Sequence, residues 1–336
     1  MLSLLRPGVI LGLLVGFVLS GCSKPAAPVV AAEGLTSVRV QANWYAEAEY
    51  GGYYQALSKG YFKDAGLDVT FVQGGPGAYP VQKVATGQAQ FGLARSDDLM
   101  LAVQQHLPVV MVAAQLEHDP QVIIVHDENP VHGFKDLDGK SIMAEPGSGW
   151  ITFLEEKYKI QIRTIPENYE IAQFLSDKGF IQQGFLTNEP YVFQQQHVAV
   201  RSLLIADSGY DPYRTLFTSV GYARDHPDVV KAFVKASIRG WEDYLAGDPT
   251  AAHALITRDS APQTPEVLAF ARSQIIASHI AAGDPAKGEH VGLLSASRLA
   301  AQLKILGEIG LLKEPLSVDQ VARFDFLPPE LQARAK

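Results

Sequence analysis

An aromatic and acidic segment in the first third of the chain has the residue types that bind a small flat molecule. Glu47 and Glu49 lie within it. Five of the eleven residues from position 44 to position 54 are aromatic, namely Trp44, Tyr45, Tyr50, Tyr53 and Tyr54. Aromatic rings offer flat apolar faces, and carboxylates accept hydrogen bonds from N–H groups. The segment therefore predicts a site for a flat, nitrogen-rich small molecule.

Each of these side chains also has a purely structural interpretation. Trp44 either stacks on the ligand or belongs to the core. At least one of Tyr50, Tyr53 and Tyr54 must be core, because neighbouring residues on a helix diverge by about 100°. The acidic pair in the same loop consists either of ligand contacts or of solvated carboxylates.

Asn188 and Glu189 provide a second polar group, between a predicted strand and a predicted helix. Loops at the carboxyl ends of strands border the ligand site in open α/β sheets, so we expect both side chains in a cleft opposite the aromatic segment. A carboxylate there can accept two N–H bonds from an amidine-like or aminopyrimidine edge. The alternative role for Glu189 is a first-turn acid stabilised by the helix dipole.

Ser148 and Asp97 are further candidates, each at a predicted helix start. Gly147-Ser148-Gly149 opens a helix whose free N–H groups, with the Ser148 hydroxyl, suit the polar edge or anionic group of a ligand. The alternative is a helix cap that serves only itself. Asp97 follows Ser96 as a first-turn residue, with a ligand contact as its second role. Arg95 is the nearest cation in sequence, so a dianionic ligand would lack bidentate partners.

The sequence lacks the common catalytic motifs. It contains no H-E-x-x-H, G-x-S-x-G, P-loop or C-x-x-C pattern, and its nine His residues are scattered. Thr152 replaces the third Gly of the dinucleotide fingerprint that Gly147 and Gly149 begin. We therefore expect a non-enzyme with no catalytic residue, metal or cofactor.

Composition and length limit the class of protein. The chain has 47% hydrophobic and 19% charged residues, as an ordinary globular protein does. Its net charge of -8 and lack of a basic cluster argue against nucleic acid as a partner. A chain of 336 residues is too long for one average core and predicts two lobes.

The elements that must position these residues alternate between strands and helices. Up to residue 126 the order is β-α-β-α-β-α-β, which is typical of a parallel α/β lobe. We predict that residues 38–126 and 214–336 form lobe 1, that residues 127–213 form lobe 2, and that two crossings join them. From Pro227 onward the pattern is almost wholly helical. Two such lobes would enclose a cleft that closes by a hinge motion.

The N-terminal segment resembles a bacterial lipoprotein signal. Arg6 precedes an apolar run from Val9 to Leu19, which is too short to span a bilayer. Leu19-Ser20-Gly21-Cys22 then matches the pattern in which cleavage precedes a lipidated cysteine. We expect residues 1–21 to be removed, Cys22 to carry lipid, and residues 22–37 to form a tether rich in Pro and Ala. An ordinary signal peptide with a free Cys is the alternative.

Several motifs together resemble those of a known family. They are W-x-x-x-x-x-Y-G-G-Y-Y-Q-A from Trp44, K-G-Y-F-K-D-A-G-L-D-V from Lys59, G-G-P at Gly74, F-G-L-A at Phe91 and T-N-E-P at Thr187. This set is similar to solute-binding proteins that feed ABC importers with thiamine pyrimidine precursors, and to the related riboflavin, alkanesulfonate and nitrate binders. The resemblance covers about residues 38–245.

The resemblance implies a two-lobed type II periplasmic binding protein fold and an aminopyrimidine-like ligand. Glu189 matches the ligand-facing acid of the family, and Trp44 matches its aromatic wall. Thiamine-precursor binders typically carry Asn at the positions of Glu47 and Glu49 and His at that of Tyr50, so the first-lobe contacts must differ here.

The resulting expectation is a monomeric, lipid-anchored protein of the periplasm or cell surface, with an ABC permease and its ATPase as partners. A family branch of pyrimidine-synthesising enzymes is the first alternative class. A binder of sulfonates or other small acids and a sensor for a membrane partner are the others.

Overall fold

The chain forms ten strands and fourteen α-helices over residues 34–335, which this computed structural model describes. The strands are β1 (Thr36–Gln41), β2 (Leu67–Val72), β3 (Phe91–Arg95), β4 (Val109–Leu116), β5 (Gln121–His126), β6 (Ser141–Ala144), β7 (Arg163–Pro166), β8 (Gln182–Phe185), β9 (Val200–Leu204) and β10 (Arg214–Ser219). The helices are α1 (Gly51–Ser58), α2 (Tyr61–Asp64), α3 (Pro80–Ala85), α4 (Ser96–Gln104), α5 (Gly149–Tyr158), α6 (Ala172–Ser176), α7 (Glu189–Gln195), α8 (Val220–Asp225), α9 (Pro227–Ala246), α10 (Thr250–Asp259), α11 (Pro265–Ala277), α12 (Ala296–Glu308), α13 (Val318–Val321) and α14 (Pro329–Gln332).

Five strands form the first sheet, in the order β2-β1-β3-β10-β4. β1 is parallel to both β2 and β3. β10 runs antiparallel between β3 and β4, so the parallel lobe expected from the sequence is in fact mixed. β10 ends at Ser219, whose hydroxyl accepts a bond from the N–H of Tyr222 and caps α8.

The other five strands form the second sheet, in the order β7-β6-β8-β5-β9. β5 is antiparallel to β8 and β9, so residues 121–126 belong to the second lobe and not to the first, as the lobe boundary at 126 had placed them. The first crossing is therefore residues 117–120. β4 and β5 are both buried throughout, and an apolar pattern alone does not indicate which sheet a buried strand joins.

The two sheets are the centres of two lobes joined by two crossings, residues 117–120 and 205–213. Helices α9, α10 and α11 supply buried residues to the first-lobe core. The predicted two-lobed α/β fold with C-terminal helices is confirmed.

Two glycines fix the position of the aromatic segment on the first lobe. A Cβ atom on Gly51 would lie 2.2 Å from the ring of Tyr244, and one on Gly52 would lie 2.2 Å from the ring of Trp241. Only glycine permits this close approach of α1 to α9. The loop that precedes α1 is thereby held at the edge of the sheet.

The N-terminal predictions lie mostly outside the described residues. The signal peptide over residues 1–21 and Cys22 are among those not described. Of the expected tether, residues 36 and 37 belong to β1. Within residues 34–335, no helix has the length and apolar character needed to cross a membrane.

Candidate functional site

Strand direction decides which side chains meet between the lobes. Because β10 is antiparallel to β3, its first residue, Arg214, pairs with Arg95, the last residue of β3. β5 likewise begins at Gln121 opposite Phe185, the last residue of β8. The loops after β1, β3 and β8 and the start of β10 therefore lie where the two sheets face each other. We call this region the interlobe cleft and define it by Trp44, Glu47, Glu49, Tyr169, Thr187, Glu189 and Arg214.

The loop after β1 is held by Tyr50. Its hydroxyl donates to Oδ1 of Asn43 at 2.8 Å and accepts from the N–H of Trp44 at 3.1 Å. Tyr50 is 2% exposed, so its ring supports the loop and presents no face to a ligand. Trp44, in contrast, is partly exposed and lies 5.1 Å from the ring of Tyr169 in the second lobe.

Three carboxyl groups from both lobes gather in the cleft. Burial raises the pKa of Glu47 well above its usual value, and the nearby charges of Glu49 and Glu189 raise it further. Burial also raises the pKa values of Glu49 and Glu189. The first two acids belong to the loop after β1, and the third begins α7 of the second lobe.

The three carboxyl groups have different hydrogen-bond partners. Oε1 of Glu49 accepts the hydroxyl of Thr187 from the other lobe. Oε2 of Glu189 accepts the N–H of Phe185 at 2.6 Å, and Oε1 accepts the side-chain amide of Asn188 at 3.1 Å. Glu47 precedes a short 3-10 helix, Ala48–Tyr50, without capping it. Its carboxyl group makes no capping bond and is a candidate acceptor for the N–H groups of a ligand.

Arg214 is the cation of this cleft. Its presence lowers the pKa values of both Glu47 and Glu49, against the effect of burial. Nη2 of Arg214 donates to Asp119 at 3.1 Å, and its guanidinium lies 5.4 Å from the ring of Phe185. The Nε atom is buried and has no hydrogen-bond partner within residues 34–335. It is an unsatisfied donor beside the carboxyl groups of the cleft.

Two predicted ligand residues lie in the core instead. Tyr53 is 1% exposed and packs against Phe71, Phe233 and Trp241. Tyr54 is also 1% exposed, and its hydroxyl donates to Asp259 at 3.0 Å. Both rings face the C-terminal helices because α1 turns this side toward α9 and α10. Their assignment as ligand contacts was wrong.

Two other predicted ligand residues are satisfied by the protein itself. Asp97 is 4% exposed, pairs with Arg95 at 3.2 Å and accepts the hydroxyl of Tyr210 at 2.6 Å. It connects the first lobe to the second crossing. The hydroxyl of Ser148 donates to the carbonyl of Glu145 at 2.9 Å, and Ser148 is 4% exposed. Neither side chain presents a free polar group to the cleft.

The structure thus brings together Trp44, Glu47, Asn188 and Glu189 of the predicted set, with Tyr50 behind them. Sequence reasoning missed Tyr169, Thr187 as a side-chain partner, and Arg214. The motif that contains Asn188 already included Thr187, but its partner in the other lobe is not visible in a sequence. Arg214 could be found only from the antiparallel direction of β10.

The cleft offers a specific chemistry to a ligand. Carboxylate oxygens accept N–H bonds, and the guanidinium donates to a carbonyl or ring nitrogen. The partly exposed indole of Trp44 provides a stacking face. In the part of the chain that the structure describes, no group of three or more His, Cys, Asp or Glu residues is arranged to hold a metal ion.

Fold and cleft together define a two-lobed protein with the periplasmic binding protein fold. The NMT1/THI5-like family model matches residues 47–252, and the chain belongs to this family.

Three relatives illustrate the functions found among similar chains. A riboflavin-binding protein of Chloroflexus aurantiacus is 27% identical over 70% of this chain and 73% of its own length. A formylaminopyrimidine-binding protein of Halalkalibacterium halodurans is 26% identical over 69% of this chain and 74% of its own. A 4-amino-5-hydroxymethyl-2-methylpyrimidine phosphate synthase of Saccharomyces cerevisiae is 24% identical over 62% and 67%, respectively.

A solved structure supports the fold. The alkanesulfonate-binding protein of Xanthomonas axonopodis pv. citri, bound to MOPS, superposes with a TM-score of 0.64 at 13% identity. The match covers 87% of this chain and all (100%) of that one. At this identity the likeness concerns the fold alone.

Proposed function

We propose that this protein captures a small heteroaromatic solute with N–H donors in the interlobe cleft and delivers it to an ABC importer. The ligand is a thiamine pyrimidine precursor or another pyrimidine-like compound. The protein itself catalyses no reaction.

One observation carries the proposal: acids from both lobes face one arginine beside an aromatic wall. Glu47 of the first lobe and Glu189 of the second are close enough that the charge of Glu189 raises the pKa of Glu47. An amino group or ring N–H placed between them would donate hydrogen bonds to the carboxylates. These bonds would offset the repulsion between the two carboxylates and their loss of hydration. Charge-assisted hydrogen bonds of this kind contribute about 1.5–3 kcal/mol each.

The remaining groups select for a ring with acceptors as well as donors. Nε of Arg214 can donate to a ring nitrogen or carbonyl, and Trp44 can stack on the ring face. An amino-substituted pyrimidine and a flavin both present adjacent donors and acceptors on one edge. A sulfonate presents only acceptors, and the three carboxyl groups of the cleft would repel it.

Export and anchoring complete the proposal. Cys22 follows a lipoprotein-type signal, and lipid on its sulfur would hold the protein at a membrane of the periplasm or cell surface. We propose that the protein acts there as a monomer and that a permease with its ATPase receives the ligand. Mass spectrometry of the membrane-extracted protein tests the anchor, because a lipidated N-terminal Cys22 adds acyl chains to the peptide that begins there.

The ligand is tested by thermal unfolding of the protein with defined compounds. The panel consists of 4-amino-5-hydroxymethyl-2-methylpyrimidine, a formylaminopyrimidine, riboflavin, cytosine and MOPS. A ligand at one hundred times its dissociation constant stabilises the folded state by about 2.7 kcal/mol, which a melting curve detects. Shifts with pyrimidine-like rings or riboflavin support the proposal. A shift with MOPS alone overturns it.

Glu189 is tested with an isosteric variant. Glu189→Gln retains an oxygen for the N–H of Phe185 but loses the negative charge, so affinity for the ring found above should fall about tenfold or more. Glu170→Gln changes an exposed acid of the same lobe and is the matched control. An unchanged dissociation constant for Glu189→Gln removes this residue from the ligand site.

A synthase is the second candidate, because the yeast relative is named as one and buried acids with raised pKa values also occur in active sites. Incubating the protein with each compound that shifts its melting curve, followed by mass spectrometry, separates the two. Recovery of the compound unchanged is the result expected of a binding protein. A new product would identify an enzyme.

A further inference from the structure

We infer that the hydrogen bond between Thr187 and Glu49 is an interlobe latch that holds the closed form, with Glu49 acting as a positioning residue. The inference rests on the proposed function of the cleft and adds to it how closure is held. In this arrangement Glu49 bonds to the second lobe, while Glu47, with Glu189 beside it, faces the ligand.

The two partners come from different lobes. Glu49 lies in the 3-10 helix Ala48–Tyr50, directly before α1 of the first lobe. Its backbone carbonyl accepts the side-chain amide of Gln115, on β4, at 2.7 Å. Thr187 follows β8 in the second lobe, in a turn closed by the bond from the N–H of Asn188 to the carbonyl of Phe185 at 3.1 Å. Each partner is therefore fixed to its own sheet.

Both partners are buried, and this makes the contact sensitive to closure. Glu49 is 7% exposed and Thr187 is 1% exposed. When the lobes separate, both groups regain water, but in the closed form the hydroxyl is the donor that compensates the buried carboxylate. A buried carboxylate without a donor is strongly disfavoured. Removing the hydroxyl should therefore penalise the closed form far more than the open one.

Two ring contacts also cross between the lobes, but they are less directional. Trp44 meets Tyr169 at 5.1 Å, and Tyr191 of α7 meets Phe270 of α11 at 5.2 Å. Rings can slide over each other during a hinge motion while keeping contact. The hydroxyl–carboxylate bond has a defined length and direction, so it distinguishes the closed state from partly open ones.

The test measures the distance between the lobes and requires no ligand. Spin labels at Lys63→Cys and Gln173→Cys, both at exposed positions, report on the first and second lobes in the full chain with Cys22→Ser. Thr187→Val has nearly the same shape but no hydroxyl. We expect its distance distribution to shift to longer values, with at least a tenfold loss in the ratio of closed to open molecules. Thr187→Ser restores the hydroxyl and should restore the wild-type distribution.

Thr218→Val is the matched control. Thr218 is 0% exposed, and its hydroxyl donates to the carbonyl of Gln90 at 2.6 Å, within the first lobe. Loss of this hydroxyl in Thr218→Val should lower the melting temperature without changing the interlobe distance. An unchanged distance in Thr187→Val, or an equal shift in Thr218→Val, overturns the latch.

A second variant keeps the inference testable if Thr187→Val does not fold. Glu49→Gln leaves an acceptor oxygen for the hydroxyl but replaces a charged acceptor with a neutral one, which forms a weaker bond. It should shift the distribution in the same direction by a smaller amount, and no shift contradicts the latch. The distance measurement contains no ligand. A negative result would therefore rule out the latch without bearing on the proposed ligand class, and an error in the ligand class would not change this result.

Discussion

Tyr169 of the second lobe lies against Trp44 of the first, with ring centroids 5.1 Å apart and ring planes inclined by 41°. Tyr169 is 58% exposed and has a φ of 60°, in the left-handed region. This conformation costs a residue with a side chain about 1 kcal/mol or more, and such strain is concentrated at ligand clamps. We therefore expect the pair to act as an aromatic gate at the mouth of the cleft.

Removing either ring of this gate should weaken ligand binding. A stacked aromatic contributes about 1–3 kcal/mol to binding a flat base, so Trp44→Ala and Tyr169→Ala should each reduce affinity about 5- to 150-fold. Tyr158→Ala is the control, because Tyr158 stacks on Phe134 within the second lobe. Isothermal titration with the best ring of the panel measures all three. Affinity that survives both alanine variants would show that the gate does not touch the ligand.

The acids of the cleft should make the empty protein less stable as pH rises. Burial and neighbouring carboxylates raise the pKa of Glu47 in the folded state. Its contribution to folding is therefore fully present below the pKa of the unfolded chain and is lost as pH rises through the folded value. Glu47→Gln should melt about 2 °C or more above the wild type at pH 8 and show a smaller difference at pH 4.

Glu128 provides a control of opposite sign. The hydrogen bond and charge of Lys178 lower the pKa of this exposed acid, so its contribution is present above the unfolded pKa and is lost as pH falls. Glu128→Gln should therefore not melt above the wild type at pH 8. Equal stabilisation by both substitutions would mean that charge in general, and not the cleft, causes the effect.

The local structure around the cleft could largely be predicted from the sequence. Tyr53 and Tyr54 were expected on a helix, and both lie in α1, which begins at Gly51. The strand before Glu189 and the helix at it were also expected, and α7 begins there. These features depend on residues near each other in the chain, whose preferences a sequence records.

Pairing between distant segments could not be predicted in the same way. The pattern of β5 showed a buried strand, but its sheet depends on pairing with β8, some sixty residues away. Tyr53 and Tyr54 are likewise buried in the core because α9 and α10 cover their face of α1. The sequence did not indicate Arg214 as a cleft residue, because its position there depends on the antiparallel direction of β10.

Arg214 should discriminate between rings by their acceptors. Arg214→Lys keeps a positive charge but loses the planar fork and the Nε donor. We expect about tenfold weaker binding of a ring that carries a carbonyl or ring nitrogen beside its N–H group, and a smaller loss for a ring without that acceptor. Arg201→Lys is the control, since Arg201 donates to the carbonyl of Val131 at 2.7 Å within the second lobe. Equal losses for both kinds of ring would rule out an acceptor contact.

His118, on the first crossing, should make stability depend on pH near neutrality. Nδ1 lies 2.6 Å from Asp211 on the second crossing, and Nε2 lies 3.1 Å from Glu289 of the C-terminal segment, while Arg298 and Glu117 are also close. Burial opposes a charge on His118, but the hydrogen bond and charge of Asp211 outweigh burial and Arg298, and the pKa is raised.

The sign of this effect is opposite to that of a buried, unpaired histidine. A raised folded pKa gives a contribution that is fully present below the unfolded pKa and is lost as pH rises through the folded value. His118→Gln should therefore lower the melting temperature at pH 5.5 by about 2 °C or more, and the difference from the wild type should shrink by pH 9. His132→Gln, at an exposed position, should leave the melting curve close to that of the wild type at both pH values. A deficit in His118→Gln that stays constant from pH 5.5 to 9 would mean that the side chain stabilises the crossing by its shape and hydrogen bonds, and not by its charge.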